Sequence, residues 1–292
     1  MSGDTSKAIK RLTEAGIPSE DARFDIGILF ACFGDDEKAF DEAVRKRAEG
    51  MPVAYITGRQ AFYKEEYIVT TDVLIPRADS ELAVEAALRF AGALDFAAGD
   101  VAEIPVREGL SQTLRILDLC TGTGCIGISA ANSLAKKYPQ VEVVLSDVSQ
   151  KALTVCGGNI KEAAFNPNAF KTVKLDVLTR EGEEDLGMFD IITANPPYVD
   201  KKDMDSIDPQ VGGFEPHLAL YGGQDGLEFY GPLCELSLRH LNPRGALIAE
   251  HGYNQGAEVA NAFKQRGFNN VKTLKDFGGN DRICFGEAPG VR

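Results

Sequence analysis

The tetrapeptide Asn195-Pro196-Pro197-Tyr198 directly follows the predicted strand 189–194 and carries groups that can hold a substrate nitrogen. Its two adjacent prolines fix the backbone and remove two N–H donors. The remaining polar groups are acceptors, namely the side-chain carbonyl of Asn195 and the backbone carbonyl of Pro196. They match a planar NH₂ group with two hydrogens to donate, on which the ring of Tyr198 can stack. Alone, the tetrapeptide also fits an ordinary proline-rich turn after a strand.

This arrangement of acceptors favours group transfer to a planar amide or amino nitrogen. Such a nitrogen is a poor nucleophile when its lone pair is delocalised into a carbonyl. Acceptors that hold both hydrogens aim the nitrogen at an electrophile such as a sulfonium methyl, and they favour the positive charge that develops. No strong general base is needed, because the proton can leave late to solvent. We predict Asn195, Pro196 and Tyr198 as catalytic residues.

A glycine-rich turn, Asp118 to Cys125, ends a predicted strand and opens a predicted helix. Glycines let the chain turn sharply and bring its backbone against a ligand, at the strand end where such folds bind ligands. Gly122-x-Gly124-x-x-Gly127, with Asp147 about 20 residues further on, also matches the dinucleotide fingerprint. An NAD-binding oxidoreductase is therefore one alternative.

The acid beside the turn favours S-adenosylmethionine over NAD. Asp118 would repel a pyrophosphate, whereas it could hold the ammonium group of methionine. Nothing later in the chain resembles a hydride-transfer site. Asp147 can accept both ribose hydroxyls in either case, and Asp176, which we expect to end the third strand of the sheet with Val177 after it, is a candidate for contact with the adenine.

The elements that would position these residues follow from hydrophobic periodicity. Residues 1–60 show helical spacing with breaks at 16–18 and 34–36, and the next segment predicts a β-hairpin with its turn at Lys64-Glu65-Glu66. Asp79 or Ser80 is expected to cap a helix, and a loop or insertion is expected over 95–112. Further strands are expected at 114–120, 141–147, 172–176, 189–194, 246–250, 271–275 and 282–285. Further helices are expected at 125–137, 149–164, 226–241 and 255–266.

This alternation predicts an α/β chain with a mainly parallel, doubly wound sheet and an antiparallel edge hairpin at its end. We predict a helical domain over 1–60, a β-hairpin linker over 61–78 and a catalytic domain over 79–292.

Composition narrows the functional class. The six cysteines of the 292 residues are scattered and form no Cys-x-x-Cys, and the three histidines are dispersed, so we expect no metal site. The net charge of −13 disfavours direct nucleic-acid binding, because phosphates are neutralised by Lys and Arg. No apolar run approaches the roughly 20 residues that span a bilayer, and the N-terminus lacks a signal-peptide pattern. We expect a soluble, cytoplasmic protein without membrane contact.

Several further segments give the chain a specific resemblance over nearly its whole length. It resembles the PrmC/HemK-type methyltransferases, which modify the glutamine of the Gly-Gly-Gln motif in peptide chain release factors. Besides the turn and the tetrapeptide, the matching segments are Pro52 to Gly58, Val73 to Arg77 with Glu81-Leu82, Glu215-Pro216 to Ala219-Leu220, Gly222-Gly223-x-Asp225-Gly226-Leu227 and Asp281-Arg282.

The resemblance implies a Rossmann-like class I S-adenosylmethionine-dependent domain, S-adenosylhomocysteine as a product, and a helical N-terminal domain that helps to recognise the release factor. It implies Asn195 to Tyr198 as the substrate-binding residues. Together with the acids above, the expected cofactor-binding set is Asp118, Cys120, Thr121, Gly122, Thr123, Gly124, Asp147, Asp176, Val177 and Asn195.

The chain departs from the family pattern at a few positions. Ala78 and Ser80 stand where the family usually has Pro and Thr, Cys120 where Gly is frequent, and Val177 where some members have an aromatic residue. The 95–112 insertion is long for the family. The alternatives that remain are a nucleic-acid adenine N6 methyltransferase, the NAD-binding oxidoreductase and a non-catalytic cofactor-binding module.

Overall fold

The computed structural model describes residues 3–94 and 99–290. Its N-terminal part is helical, as the periodicity predicts, and the breaks at 16–18 and 34–36 separate the first three helices. The helices are α1 (Gly3–Glu14), α2 (Ser19–Phe33), α3 (Glu37–Ala48) and α4 (Val53–Thr57). Asp36 caps α3 by accepting from the backbone N–H groups of Lys38 and Ala39. Leu12, Leu29 and other apolar side chains from α1 to α3 form a separate small core.

An antiparallel hairpin follows, formed by β1 (Arg59–Phe62) and β2 (Glu65–Ile68). The predicted turn was wrong by about one residue: Tyr63 and Lys64 make the turn, with Tyr63 at φ 56°, and Glu65 belongs to the strand. Contacts with a later helix explain the shift. Glu65 accepts hydrogen bonds from Ser129 Oγ (2.6 Å) and Asn132 Nδ2 (2.9 Å) on the helix that follows the glycine-rich turn.

The segment before the catalytic sheet begins with a short 3-10 helix, Ala78–Ser80, which leads into α5 (Glu81–Phe90). Ser80 occupies the predicted N-cap position of α5, but its side chain makes no capping hydrogen bond, because both candidate side chains are used elsewhere. Ser80 donates to Glu250, and Asp79 pairs with Arg282 at 3.3 Å. A second 3-10 helix, Gly99–Glu103, lies in the predicted insertion, and Val101 in it is buried in the main core. Part of that insertion, 95–98, lies outside the described residues.

Within the described residues, seven strands form one sheet in the order β5-β4-β3-β6-β7-β9-β8. The strands are β3 (Thr113–Leu119), β4 (Gln140–Asp147), β5 (Phe170–Lys174), β6 (Phe189–Ala194), β7 (Leu241–Glu250), β8 (Asn269–Lys275) and β9 (Asp281–Glu287). The connecting helices are α6 (Cys125–Leu134), α7 (Gln150–Ala163), α8 (Lys201–Met204), α9 (Pro209–Gly212), α10 (His217–Leu220), α11 (Tyr230–His240) and α12 (Gly256–Gln265).

The sheet is parallel from β5 to β7, and β9 is antiparallel to both of its neighbours. This is the predicted α/β arrangement. The chain moves outward from β3 through β4 to β5 and then returns to place β6 on the other side of β3. The carboxyl ends of β3 and β6 therefore flank a topological switch point, where open α/β sheets bind ligands.

Some predicted boundaries were wrong. β5 ends at Lys174, so Asp176 lies two residues beyond the strand. The Asp176 carboxylate accepts from the N–H groups of Leu178 and Thr179, which closes a local turn in place of further strand. α11 begins at Tyr230 and not at Gly226, whose φ of 73° is left-handed. β7 begins at Leu241, five residues earlier than expected, and α8 to α10 were not predicted.

A buried ion pair connects the small helical core to the rest of the chain. Arg47 is 7% exposed and donates from Nε to Asp25 Oδ2 at 2.6 Å. Its Nη1 donates to Gln210 Oε1, on α9, at 2.9 Å. None of the helices among the described residues is sufficiently long and apolar to cross a membrane.

We predict that Asp25→Ala lowers the free energy of unfolding by about 3 kcal/mol, because it leaves the buried Arg47 guanidinium without a counter-ion. Urea denaturation followed by circular dichroism measures the change. Glu42→Ala is the matched control, because Glu42 pairs with Arg45 on an exposed face of α3 and should change stability little. An equal effect of the two variants would contradict the importance given to burial.

Candidate active site

A cavity that opens to solvent lies at the carboxyl ends of β3, β4 and β6. Its walls come from the glycine-rich turn, the segment 72–80, the loop after β5, and the segment 195–219. The predicted cofactor residues in its lining are Asp118, Cys120, Thr121, Gly122, Thr123, Asp147, Asp176, Val177 and Asn195. Of the described residues in the predicted sets, Gly124, Pro196 and Tyr198 lie outside this lining, whereas Pro197 is part of it.

The glycine-rich turn has the backbone that a close ligand approach requires. Cys120, Gly122 and Gly124 all have positive φ, at 55°, 53° and 85°. A Cβ built on Gly122 would meet no described atom within 4 Å, so this face of the turn is open. One on Gly124 would lie 3.0 Å from Cys156 Sγ, closer than most Cβ contacts, so a side chain there would be crowded as well as strained by the positive φ. Cys120 adopts a conformation that usually favours glycine.

Asp118 lies at the base of the cavity and is 1% exposed. Its carboxylate accepts from Thr121 Oγ1 at 2.5 Å and from Thr193 Oγ1 at 2.6 Å. Burial raises the pKa of Asp118 to about 6, although these hydrogen bonds and one from the Gly127 N–H oppose the change. The site therefore contains a buried acid with hydroxyl partners.

Asp147 is held at the cavity wall by backbone groups. Its Oδ2 accepts from the Gly122 N–H at 3.0 Å and its Oδ1 from the Ser149 N–H at 2.9 Å. Burial raises the pKa of Asp147, and the backbone hydrogen bonds oppose that rise. Val177 lies in the same lining, so the apolar surface near Asp147 includes an aliphatic residue.

Asn195 is held by Ser80, the last residue of the 3-10 helix that precedes α5. Its Nδ2 donates to Ser80 Oγ at 3.3 Å, and Ser80 Oγ donates to Glu250 Oε2 at 2.5 Å. The Tyr198 hydroxyl donates to the other oxygen of the same carboxylate at 3.2 Å. Burial, followed by the nearby Glu250 charge, raises the pKa of Tyr198 well above its usual range.

The sequence analysis did not identify several residues that hold this site together. Asn159, fully buried on α7, accepts from the Ile68 N–H at 2.7 Å. Its Nδ2 donates to the backbone carbonyls of Ile68 (3.1 Å) and Thr123 (2.9 Å), so it connects the hairpin to the glycine-rich turn. Glu215, also buried, accepts from the Ile75 N–H and from Arg77. The Glu215-Pro216 segment of the resemblance was a signal for Glu215, whereas only the fold could reveal Asn159.

The comparison with protein families agrees with this geometry. Residues 101–209 match the family model described as "Methyltransferase small domain". Fold and domain together define the chain as a methyltransferase of the α/β Rossmann-like class, which confirms the predicted fold class. Among the described residues, no group of three or more His, Cys, Asp and Glu side chains is placed to hold a metal ion.

Named relatives give the family. The chain is 31% identical to a release factor glutamine methyltransferase from Koribacter versatilis. The alignment has 297 positions, gaps included, and covers 97% of this chain and 96% of the relative. A protein of the same name from Pasteurella multocida is 35% identical over 249 residues, covering 84% and 78%. A solved release-factor-specific protein-(glutamine-N5) methyltransferase from Alicyclobacillus acidocaldarius is 27% identical, covers 76% of this chain and 99% of its own, and has a TM-score of 0.41. The chain belongs to the release factor glutamine methyltransferase family, which confirms the resemblance.

We predict that the ionised Asp118 carboxylate destabilises the fold at neutral pH by roughly 2–3 kcal/mol. Its folded-state pKa of about 6 lies above the ordinary 3.8, so the folded state binds more protons between about pH 4 and pH 6. The free energy of unfolding contributed by this group therefore falls as pH rises through that window.

Urea denaturation at pH 4.5, 6 and 7.5 should show Asp118→Asn gaining stability relative to the wild type as pH rises. Asp205→Asn, on an exposed loop, is the control and should follow the wild type. A constant difference between Asp118→Asn and the wild type across this range would contradict the prediction.

Proposed function

We propose that this protein transfers a methyl group from S-adenosylmethionine to the side-chain amide nitrogen, N5, of the glutamine in the Gly-Gly-Gln motif of peptide chain release factors. The observation that carries the proposal is the Asn195 carboxamide, which lines the cavity and is oriented through its Nδ2 by Ser80. The names of the relatives at 31% and 35% identity support the substrate.

The residues of the cavity fit S-adenosylmethionine. We propose that Asp118 accepts hydrogen bonds from the ammonium group of the methionine, and that Asp147 accepts them from the ribose hydroxyls. Val177 and the loop of Asp176 would contact the adenine. The turn from Cys120 to Gly124 presents its backbone to the same ligand, and the open face of Gly122 supports this approach. When bound, the cofactor supplies an electrophilic sulfonium methyl and leaves as S-adenosylhomocysteine.

The tetrapeptide would position the substrate amide. In this proposal the Asn195 Oδ1 and the Pro196 carbonyl accept the two amide hydrogens, so the nitrogen lone pair is directed into the cavity. These acceptors also stabilise the positive charge that develops on the nitrogen, and the proton then leaves to solvent. The Tyr198 ring, fixed through its hydroxyl on Glu250, is proposed to pack against the planar amide.

We propose that residues 1–60 act as a substrate-recognition domain, 61–78 as a linker and 79–292 as the catalytic domain, and that the protein works in the cytoplasm with the translation machinery. Arg47, in the helical part, donates a hydrogen bond to Gln210 on α9, so this part of the chain lies beside α9. The relatives' names favour neither adenine methylation nor hydride transfer.

The first functional prediction concerns the substrate. Incubation with methyl-labelled S-adenosylmethionine and a purified release factor should label the wild-type release factor and leave a Gln→Ala variant of its Gly-Gly-Gln motif unlabelled. Duplex DNA serves as a parallel substrate. Label in both release factors, or in DNA alone, would exclude the glutamine assignment.

The second functional prediction concerns Asn195. Asn195→Ala should lower kcat about 10²- to 10³-fold, by analogy with the roughly 2–4 kcal/mol lost with one transition-state partner. Cofactor affinity, measured by calorimetry, should stay within about threefold, since most proposed cofactor contacts lie elsewhere. Asn168→Ala, at an exposed position before β5, is the control. Wild-type turnover in Asn195→Ala would refute this role.

A further inference from the structure

Glu250, the last residue of β7, is a buried carboxylate linked to both ends of the proposed amide-binding site, directly to Tyr198 and through Ser80 to Asn195. It is 2% exposed. Its Oε2 accepts from Ser80 Oγ at 2.5 Å and its Oε1 from the Tyr198 hydroxyl at 3.2 Å. A hydrogen bond of 2.5 Å between oxygens is in the range of charge-assisted bonds to a carboxylate. Glu250 has no place in the mechanism described above beyond these contacts.

An ionised carboxylate only accepts hydrogen bonds, and this fixes the direction of the bonds that lead away from it. Ser80 has one hydroxyl hydrogen, which it donates to Glu250. Ser80 can therefore only accept a hydrogen bond from Asn195. The group of Asn195 that faces Ser80 must be the NH₂ group of its side-chain amide, Nδ2. The Asn195 Oδ1 is then the atom that remains for a ligand.

We propose that Glu250 is a positioning residue that acts through Ser80 to present the oxygen, and not the nitrogen, of the Asn195 carboxamide to the substrate. The inference rests on the proposed function, because it specifies why the site takes an NH₂ group. An asparagine side chain turned by 180° about its terminal bond has nearly the same shape but presents two donors. Such a site would bind a carboxylate or a carbonyl oxygen instead of an amide nitrogen.

Charged side chains near Glu250 influence whether its carboxylate is ionised. Burial raises the pKa of Glu250, and the Asp79 charge adds to that rise. The hydrogen bond from Ser80 and the Arg282 guanidinium oppose it and favour the ionised carboxylate. Arg282 is itself held by Asp79 at 3.3 Å and by Asp276 at 3.2 Å. Tyr198, like Ser80, donates to the carboxylate, so its hydroxyl oxygen is left as an acceptor.

The first test removes and restores the intermediate hydroxyl. Ser80→Ala should lower kcat about tenfold, the loss typical of one buried hydrogen bond of about 1.4 kcal/mol. Ser80→Thr, which keeps a hydroxyl, should stay within about threefold of the wild type, and both should bind S-adenosylmethionine as the wild type does. Ser237→Ala is the control: Ser237 is also fully buried, and within the described residues its hydroxyl has no hydrogen-bond partner.

The second test changes the carboxylate. Glu250→Gln has one acceptor and one donor, so either Ser80 or Tyr198 loses its acceptor, and kcat should fall about tenfold or more. Glu287→Gln is the control, because Glu287 is buried in the adjacent strand β9 and also accepts from two side chains. The Ser80→Ala, Glu250→Gln double variant should lose less than the product of the single losses, since both act through one contact.

A binding measurement separates this inference from the proposed function. With S-adenosylhomocysteine present, the wild type should bind a release factor with Gly-Gly-Gln at least about fivefold more tightly than its Gln→Glu variant, and Ser80→Ala should reduce this preference. No preference in the wild type would refute the proposed function. A wild-type preference that Ser80→Ala leaves intact, strictly multiplicative losses in kcat, or a Ser80→Thr variant as slow as Ser80→Ala would overturn the role of Glu250.

Discussion

The hydrogen bond from Thr193 to Asp118 joins the two strand ends between which the cavity opens. The two residues are register partners in β3 and β6, and their side-chain oxygens lie 2.6 Å apart. Asp118 opens the glycine-rich turn, and Thr193 precedes Asn195 by two residues. This contact adds to the backbone pairing of β3 and β6, which holds the turn and the tetrapeptide next to each other. Burying the Asp118 carboxylate costs free energy, because the charged group loses its contact with water. The hydroxyl groups that donate to it offset part of that cost and hold the acid in place.

Around this pair, buried polar side chains connect segments of the cavity wall that are distant in sequence. Asn159, Glu215 and Glu250 each bind a segment that is distant in sequence. Hydrogen bonds have direction, so they fix the orientation of a carboxamide or a turn, which apolar packing alone does not. The apolar clusters on the two faces of the sheet supply the bulk of the core beneath them.

Local signals were sufficient for the parts of the site that are continuous in sequence. The glycine-rich turn and the tetrapeptide carry their geometry in glycines and prolines. Of the seven strands that form the large sheet among the described residues, six begin within two residues of the predicted position, and β7 begins five residues earlier than predicted. Residues with roles set by tertiary contacts were not accessible in this way. By sequence, Ser80 is a candidate helix cap, but in the structure its hydroxyl donates a hydrogen bond to Glu250. Asp176 resembles the end of a strand, but its carboxylate closes a turn.

Asn159 contacts the main chain of both segments that it joins, through the N–H and carbonyl of Ile68 and the carbonyl of Thr123. Every amino acid offers a main-chain carbonyl, and every one except proline also offers an N–H. This contact therefore places almost no restriction on which side chains occupy positions 68 and 123, while it allows very little variation at 159. In related sequences the restriction should fall on a helix position that lies outside the segments that carry the resemblance.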